Sequence, residues 1–236
     1  MRRSGSIVAA ILGILSDKIR PGMKTRELDP IAAHEAAIRG AVPSFKGYMG
    51  YPANLCVSLN NEIVHGIPGE RVIKEGDLVK LDFGVIYQGY QGDAAVTVGV
   101  GDVSPLAKKL MEVTQKALLA GIARARDGAR LGDIGAAIDE CAISYGFSAV
   151  REYTGHGIGR EMHEDPQVPN FGVRGEGIQL KKGMTLALEP MVNTGGWPTR
   201  VGADGWVVYT ADGSLSAHFE HTIAITEGDP EILTVK

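Results

Sequence analysis

The chain has 236 residues, 44% of them hydrophobic and 22% charged. This is the ordinary balance of a soluble globular protein, long enough for one large domain or two fused halves. A formal net charge of -4 with a pI near 5.9 excludes the basic footprint of a nucleic-acid binder.

Arg2 and Arg3 precede an apolar run from Ile7 to Leu15, the outline of a signal peptide. No small-x-small cleavage site follows, and the run is too short to cross a membrane. It is read as a core-facing helix ending at Pro21-Gly22, and the chain as cytoplasmic. Cys56 and Cys141, the only cysteines, are unpatterned, which suits a reduced compartment rather than a disulfide framework. Thr25 is placed to N-cap a second helix running to Gly40, with Leu28, Ile31, Ala32 and Ile38 as its apolar positions. A loop rich in glycine and tyrosine follows (47–52), then a strand over Leu55 to Leu59, a turn at Asn60-Asn61 and the run Ile63 to Pro68. Further on, Ser104 opens a helix to about Arg126, Leu131 to Tyr145 reads as another helix, and Ala149 to Tyr153 as a strand.

Leu78 to Ile86 is a strand pattern with Asp82 at its middle. A carboxylate there is costly to bury unless it is paired or bound to a metal. Tyr87-Gln88-Gly89 signals a tight turn, and the returning strand carries Asp93, nearly opposite Asp82. Two acids side by side repel, and one or two cations between them resolve the conflict. The alternative is a single buried acid salt-bridged to Lys80, with Asp93 a turn residue.

The text of 73–85, IKEGDLVKLDFGV, recurs at 180–192 as LKKGMTLALEPMV, with Asp82 aligned on Glu189. Pro21-Gly22-Met23-Lys24 likewise resembles Asp127-Gly128-Ala129-Arg130, each opening a helix. Each half therefore supplies a helix pair and a strand with one inward acid, which predicts a pseudo-twofold molecule with a site between its halves. His156 lies in the glycine-rich loop 155–159, which has neither Walker nor dinucleotide spacing. His163-Glu164 starts like HExxH but fails, because position 167 is Gln and Pro166 opposes a helix. His218 and Glu220 are expected to share one strand face. Taken singly, each of these residues also has a purely structural reading.

Together they resemble the type I methionine aminopeptidases. The matching text is CVSLNNEIVHGIPG at 56–69, LDFGVIYQGYQGD at 81–93, GHGIGREMHEDPQV at 155–168, GMTLALEPMVN at 183–193 and SAHFEHTIAIT at 216–226. The motifs stand in family order across essentially the whole chain. The resemblance implies the pita-bread fold, an α/β (α+β) architecture. Two pseudo-twofold halves, roughly 1–103 and 104–236, would flank a central curved antiparallel sheet with helices outside, as one catalytic domain. It also implies metal ligands at Asp82, Asp93, His156, Glu189 and Glu220, with His65 and His163 facing substrate. Four carboxylates and an imidazole suit two divalent ions such as Mn, Fe or Co, with Zn possible. Such ions lower the pKa of a shared water, the nucleophile toward the first peptide bond. Glu189 is expected to relay the proton.

By the same resemblance, Phe45, Tyr48, Tyr51, Cys56, Met162 and Trp206 line the pocket for a methionine side chain. A monovalent cation is expected near Asn60 and Ser216. The implied partners are peptides and nascent chains with N-terminal methionine, met by a monomer near the ribosome, with no nucleic acid or membrane involved. The family's short N-terminal extension has no counterpart before the first helix, and the type II insertion has no room between His163 and Glu220. Proline peptidases of the same fold, and a non-catalytic peptide binder, are the competing readings.

Overall fold

The structure is a computed structural model and describes residues 1–235. Among the described residues, four α-helices and fifteen strands follow the sequence patterning. The helices are α1 (Arg2–Lys18), α2 (Leu28–Ile38), α3 (Pro105–Ile122) and α4 (Leu131–Ser144). In chain order the strands are β1 (Val42–Pro43), β2 (Cys56–Leu59), β3 (Glu62–Val64), β4 (Leu78–Tyr87), β5 (Tyr90–Gly99), β6 (Ser148–Ala149), β7 (Gly155–Gly157) and β8 (Glu164–Val168). Then come β9 (Thr185–Leu188), β10 (Met191–Asn193), β11 (Thr199–Val201), β12 (Val208–Thr210), β13 (Ser216–His218), β14 (Glu220–Ala224) and β15 (Glu231–Ile232).

Nine strands form one antiparallel sheet in the order β1-β4-β5-β14-β9-β7-β8, with β2 also on β4 and β15 on β14. Its centre is the β4–β5 hairpin, paired from Leu78↔Gly99 to Tyr87↔Tyr90. Gln88 and Gly89 turn it with φ of 51° and 77°. Two successive positive φ values match the strand twist, which is why a two-residue turn holds so long a hairpin in register. Residues of β4 alternate strictly: Val79, Leu81, Phe83 and Val85 pack under α1 and α2, leaving Lys80, Asp82 and Gly84 on the other face. A second core beneath α3 and α4 gathers Leu110, Ile134 and Ile138 against Leu186, Leu188 and Ile223. Each helix pair thus covers one half of the sheet, and the acid-bearing face is left to the inside.

The repeat read from the text is a repeat of hydrogen bonds. Gly22 N–H donates to the Ile73 carbonyl at 2.9 Å, and Gly128 N–H to that of Leu180 at 3.0 Å. Ile73 N–H returns to Met23 and Leu180 N–H to Ala129, both at 2.8 Å. At the helix openings Glu27 accepts from Lys24 N–H at 2.7 Å, as Asp133 does from Arg130 N–H at 2.8 Å.

Three local expectations need correction. Thr25 does not cap α2. It lies in a 3-10 turn (Thr25–Glu27), and its hydroxyl is taken up by the Gly69 backbone while Glu27 caps the turn. The strand over 149–153 is reduced to β6, whose ladder with β10 ends at the bond from Val150 N–H to the Met191 carbonyl. The run 216–226 is two strands in different sheets, broken at Phe219, whose ring is buried in the α3–α4 core.

Phe83 is fully buried against α1 and α2 and points away from the acids. Phe83→Ala should cost about 3–5 kcal/mol of stability. A urea unfolding midpoint checks this; a loss below about 1 kcal/mol would mean that the helix pair is not seated on β4 as described.

Candidate metal and peptide site

Register alone gathers the acids. Cys56 lies opposite Asp82, Asp82 opposite Ala95, and Ala95 opposite Glu220. Directly paired residues share a face, and so do residues two apart. Asp93 therefore joins them from two residues before Ala95. His156 pairs with Ala187, two residues before Glu189, and enters the same face from the far side of β14. The five expected ligands thus come from β4, β5, β7, β14 and the end of β9, all pointing into one concave surface.

Asp82 and Asp93 stand nearly opposite, as the sequence suggested, offset by two residues along the strands. Asp93 faces Gly84. A Cβ on Gly84 would lie 3.3 Å from Asp93 Oδ1, 3.0 Å from the Phe45 ring and 2.8 Å from the Met162 methyl. The absent side chain is what lets the second acid stand there. Gly155 and Gly157 make similar room beside His156, where a Cβ on either would fall 2.2 Å from a neighbouring carbonyl oxygen.

Candidate donor atoms of Asp93, His156 and Glu220 all lie within 4.8 Å of one another. Glu189 reaches His156 Nε2 at 3.7 Å with Oε1 and His218 Nε2 at 3.6 Å with Oε2. Asp82 Oδ1, Asp93 Oδ1 and Glu220 Oε1 are buried without any hydrogen-bond partner. Burial raises all four acids, Asp93 to about 7, and the neighbouring carboxylates raise Asp82, Glu189 and Glu220 further. Burial also pulls His156 and His65 down to about 4, so both rings are neutral at physiological pH, and it lowers His163. Oxygen-rich, orphaned donors beside a neutral imidazole fit divalent cations.

The acids line one wall of a cavity of about 610 Å³. Phe45, Tyr48, Tyr51, Cys56, His65, His163 and Trp206 also line it. Tyr51 and Trp206 meet edge to face at 5.1 Å, with the Tyr51 hydroxyl anchored on the Gly66 carbonyl. Tyr48 stacks on His163, its hydroxyl 2.8 Å from Nδ1. His65 takes φ of 61°, an uncommon backbone state that aims its ring from the end of β3 into the cavity.

Met162 does not line the cavity. It is 2% exposed and packs with Ile158 and Ala187 behind Phe45 and Tyr48. The sequence reading also missed Met49, Thr154 and Gln167, which line the cavity. Thr154 flanks the motif 155–168, Gln167 lies within it, and Met49 lies in the loop 47–52 between Tyr48 and Tyr51, so their neighbourhood was the available signal. The place expected for a monovalent cation is met by a lysine side chain. The carbonyls of Asn60 and Ser216 accept hydrogen bonds from Lys80 Nζ at 2.7 and 2.9 Å. That geometry also removes the alternative in which Lys80 is the salt-bridge partner of Asp82.

The sequence matches the model of metallopeptidase family M24 over residues 1–227. The chain belongs to metallopeptidase family M24. It is 50% identical to the methionine aminopeptidase of Clostridium perfringens, over all of this chain and 94% of that protein. It is equally identical to methionine aminopeptidase 1 of Bacillus subtilis, over 99% of this chain and 94% of that one. The crystal structure of methionine aminopeptidase from Thermotoga maritima superposes with a TM-score of 0.98 at 47% identity, covering 100% of this chain and 95% of that one. The pita-bread fold extends to a prolidase from Pyrococcus furiosus, with a TM-score of 0.81 at 22% identity; there this chain covers 62% of the other.

Four raised acids, three of them with a buried oxygen that has no partner among the described residues, make the metal-free site self-repelling. In chelator-treated protein, Glu220→Gln should keep or raise the melting temperature, because an amide replaces a buried acid. The same variant should lose the rise in melting temperature that Mn²⁺ gives the native chain. Differential scanning fluorimetry with and without Mn²⁺ reads both; an undiminished Mn²⁺ response would remove Glu220 from the ligand set.

Proposed function

We infer that this M24 enzyme removes the N-terminal methionine from peptides and new chains whose second residue is small. The observation that carries the reading is the arrangement of the cavity, with a dense set of hard metal donors on one wall and an aromatic and sulfur lining beside it. Relatives at 50% identity that carry the name methionine aminopeptidase support it. The reading extends to a monomeric, single catalytic domain in the cytoplasm that meets nascent chains near the ribosome. The two free cysteines suit such a reducing setting.

Asp82, Asp93, His156, Glu189 and Glu220 would hold two divalent ions. When bound, these ions supply a water nucleophile active at neutral pH and polarise the first peptide carbonyl. Glu189 is the acid best placed to move the proton. It touches both His156 and His218, and its raised pKa allows it to accept a proton and hand it to the leaving amide nitrogen. His65 and His163, on the cavity wall, offer neutral ring N–H groups to the substrate carbonyl and to the charge that develops on it. Tyr48 holds the tautomer and plane of His163 through its bond to Nδ1. Tyr51, Trp206, Phe45 and Cys56 form an apolar end in which an unbranched thioether fits without strain.

The test is a panel of peptides differing at the first two positions, with metals restored one at a time after chelation. Cleavage of Met-Ala-Ser by the Mn, Fe or Co form is expected, with none of its N-acetylated version. Leucine should be a poor first residue, since apolar pockets separate such pairs by only roughly 1–3 kcal/mol. Preferred cleavage before proline, with a non-methionine first residue, would favour a proline peptidase. His65→Ala and His163→Ala should retain metal yet slow turnover by about 10²–10⁴-fold, while exposed His34→Ala on α2 should be near neutral. Glu189→Gln should lose activity more steeply than metal content, measured by elemental analysis. Parallel losses of the two would deny Glu189 its proton-transfer role.

A further inference from the structure

Lys80 is a large buried side chain whose position the acid site does not by itself explain. It sits on β4 two residues before Asp82, on the same face, so the two lie roughly 7 Å apart along the strand. It is 1% exposed. A lysine so buried is normally paired with a carboxylate, yet its hydrogen bonds go to two backbone carbonyls. One belongs to Asn60, in the turn before β3, and the other to Ser216, which opens β13. Asn60 O also accepts from Ser216 N–H at 3.0 Å, so one carbonyl, one amide and one lysine Nζ lock three segments together. Asn60 takes φ of 54°, and its side chain fastens the same turn to Asp77 and to Leu78 N–H. The turn is therefore built around the position its carbonyl occupies.

The neighbours of Lys80 in the sheet continue this arrangement. Its cross-strand partner Thr97 exchanges two hydrogen bonds with the backbone of His218, at 2.7 and 2.9 Å. Its other partner, Ser58, accepts from Gly66 N–H at 3.0 Å. In this polar row Lys80 and Thr97 fix the segment 216–218, one residue short of Glu220, while Ser58 holds Gly66. The adjoining row of the same sheet is Cys56, Asp82, Ala95 and Glu220. The polar row fastens the second half of the chain to the first at the point where the two contribute their acids.

We propose that Lys80 is a resident cation, its side-chain nitrogen filling the oxygen-lined position between Asn60 and Ser216 that a free monovalent ion would otherwise take, and that it is a positioning residue for Glu220. The proposal needs no particular reading of the substrate, since it concerns how the two halves are joined. It makes the chain indifferent to potassium and sodium, and it predicts that shortening the side chain opens a place for one of them.

The experiment compares the native chain, Lys80→Ala and Lys80→Met by thermal unfolding in potassium chloride and in tetramethylammonium chloride at equal ionic strength. The Mn²⁺-induced shift is measured in each salt. The native chain should unfold at the same temperature in both salts. Lys80→Ala should unfold lower in tetramethylammonium and recover by roughly 2–4 °C in potassium, with saturation as a single site fills. Its Mn²⁺ shift should be weakened in tetramethylammonium and restored together with the potassium effect. Lys80→Met, which fills the space without a charge, should unfold low in both. If Lys80→Ala folds poorly, its refolding yield in the two salts gives the same reading, with recovery only in potassium as the expected result. A native chain that gains stability from potassium, or a Lys80→Ala variant that ignores it in both unfolding and refolding, overturns the proposal.

Discussion

Everything at the centre of this molecule follows from placing four carboxylates on one buried face of a sheet. Such a face is unfavourable unless its charge is answered. The opposite face of the same strands is therefore packed with large apolar side chains. β4 alternates between Phe83 or Leu81 under the helices and Asp82 above, so one strand carries both the anchoring and the strained chemistry. Divalent cations can answer the charge; protons can also answer it, which is why the acids are raised so far when nothing else is near. Placed among groups that share one field, the proposed ligands and proton carrier cannot be tuned independently.

Crowding is the second consequence of the same constraint. Donors can converge only if backbones approach closely, and the glycines occur where that is required. Gly84 gives Asp93 its space, and Gly155 and Gly157 let the His156 strand lie against its neighbours. These glycines are less about flexibility than about what a Cβ would strike. The histidines fit the same logic, because burial keeps them neutral, and a neutral imidazole serves both as a metal ligand and as an N–H donor.

Much of this was legible in the text of the chain. The twofold repeat could be read because it is carried by local bonding, in which Gly22 and Gly128, and Ile73 and Leu180, repeat the same backbone partners. The acid positions could be read because strand parity is a local property. What could not be read depends on partners remote in sequence. The break at Phe219 arises because its ring is drawn into the α3–α4 core. Met162 lies within a motif, yet packing sends it behind Phe45 rather than into the cavity. The family resemblance led to an ion near Asn60 and Ser216. Only the reach of Lys80, 136 residues from Ser216, reveals that a lysine nitrogen is already there.

The apolar end of the cavity is not a separate module from its chemistry. Tyr48 belongs to the lining, but its ring stacks on His163 and its hydroxyl meets Nδ1. Cys56 belongs to the lining too, yet on β2 it lies directly opposite Asp82 of β4, and burial, helped by that carboxylate, keeps its thiol protonated. His163 in turn packs against the ring of His156, centroids 4.2 Å apart. A side chain that seats well against Tyr48 and Cys56 therefore presses on groups that touch the acids. A side chain that seats badly leaves the Tyr48–His163 pair free to move. On the proposed function, first-residue selection and turnover are linked through these two residues, and discrimination in this cavity should be expressed in the rate of the chemical step as well as in binding.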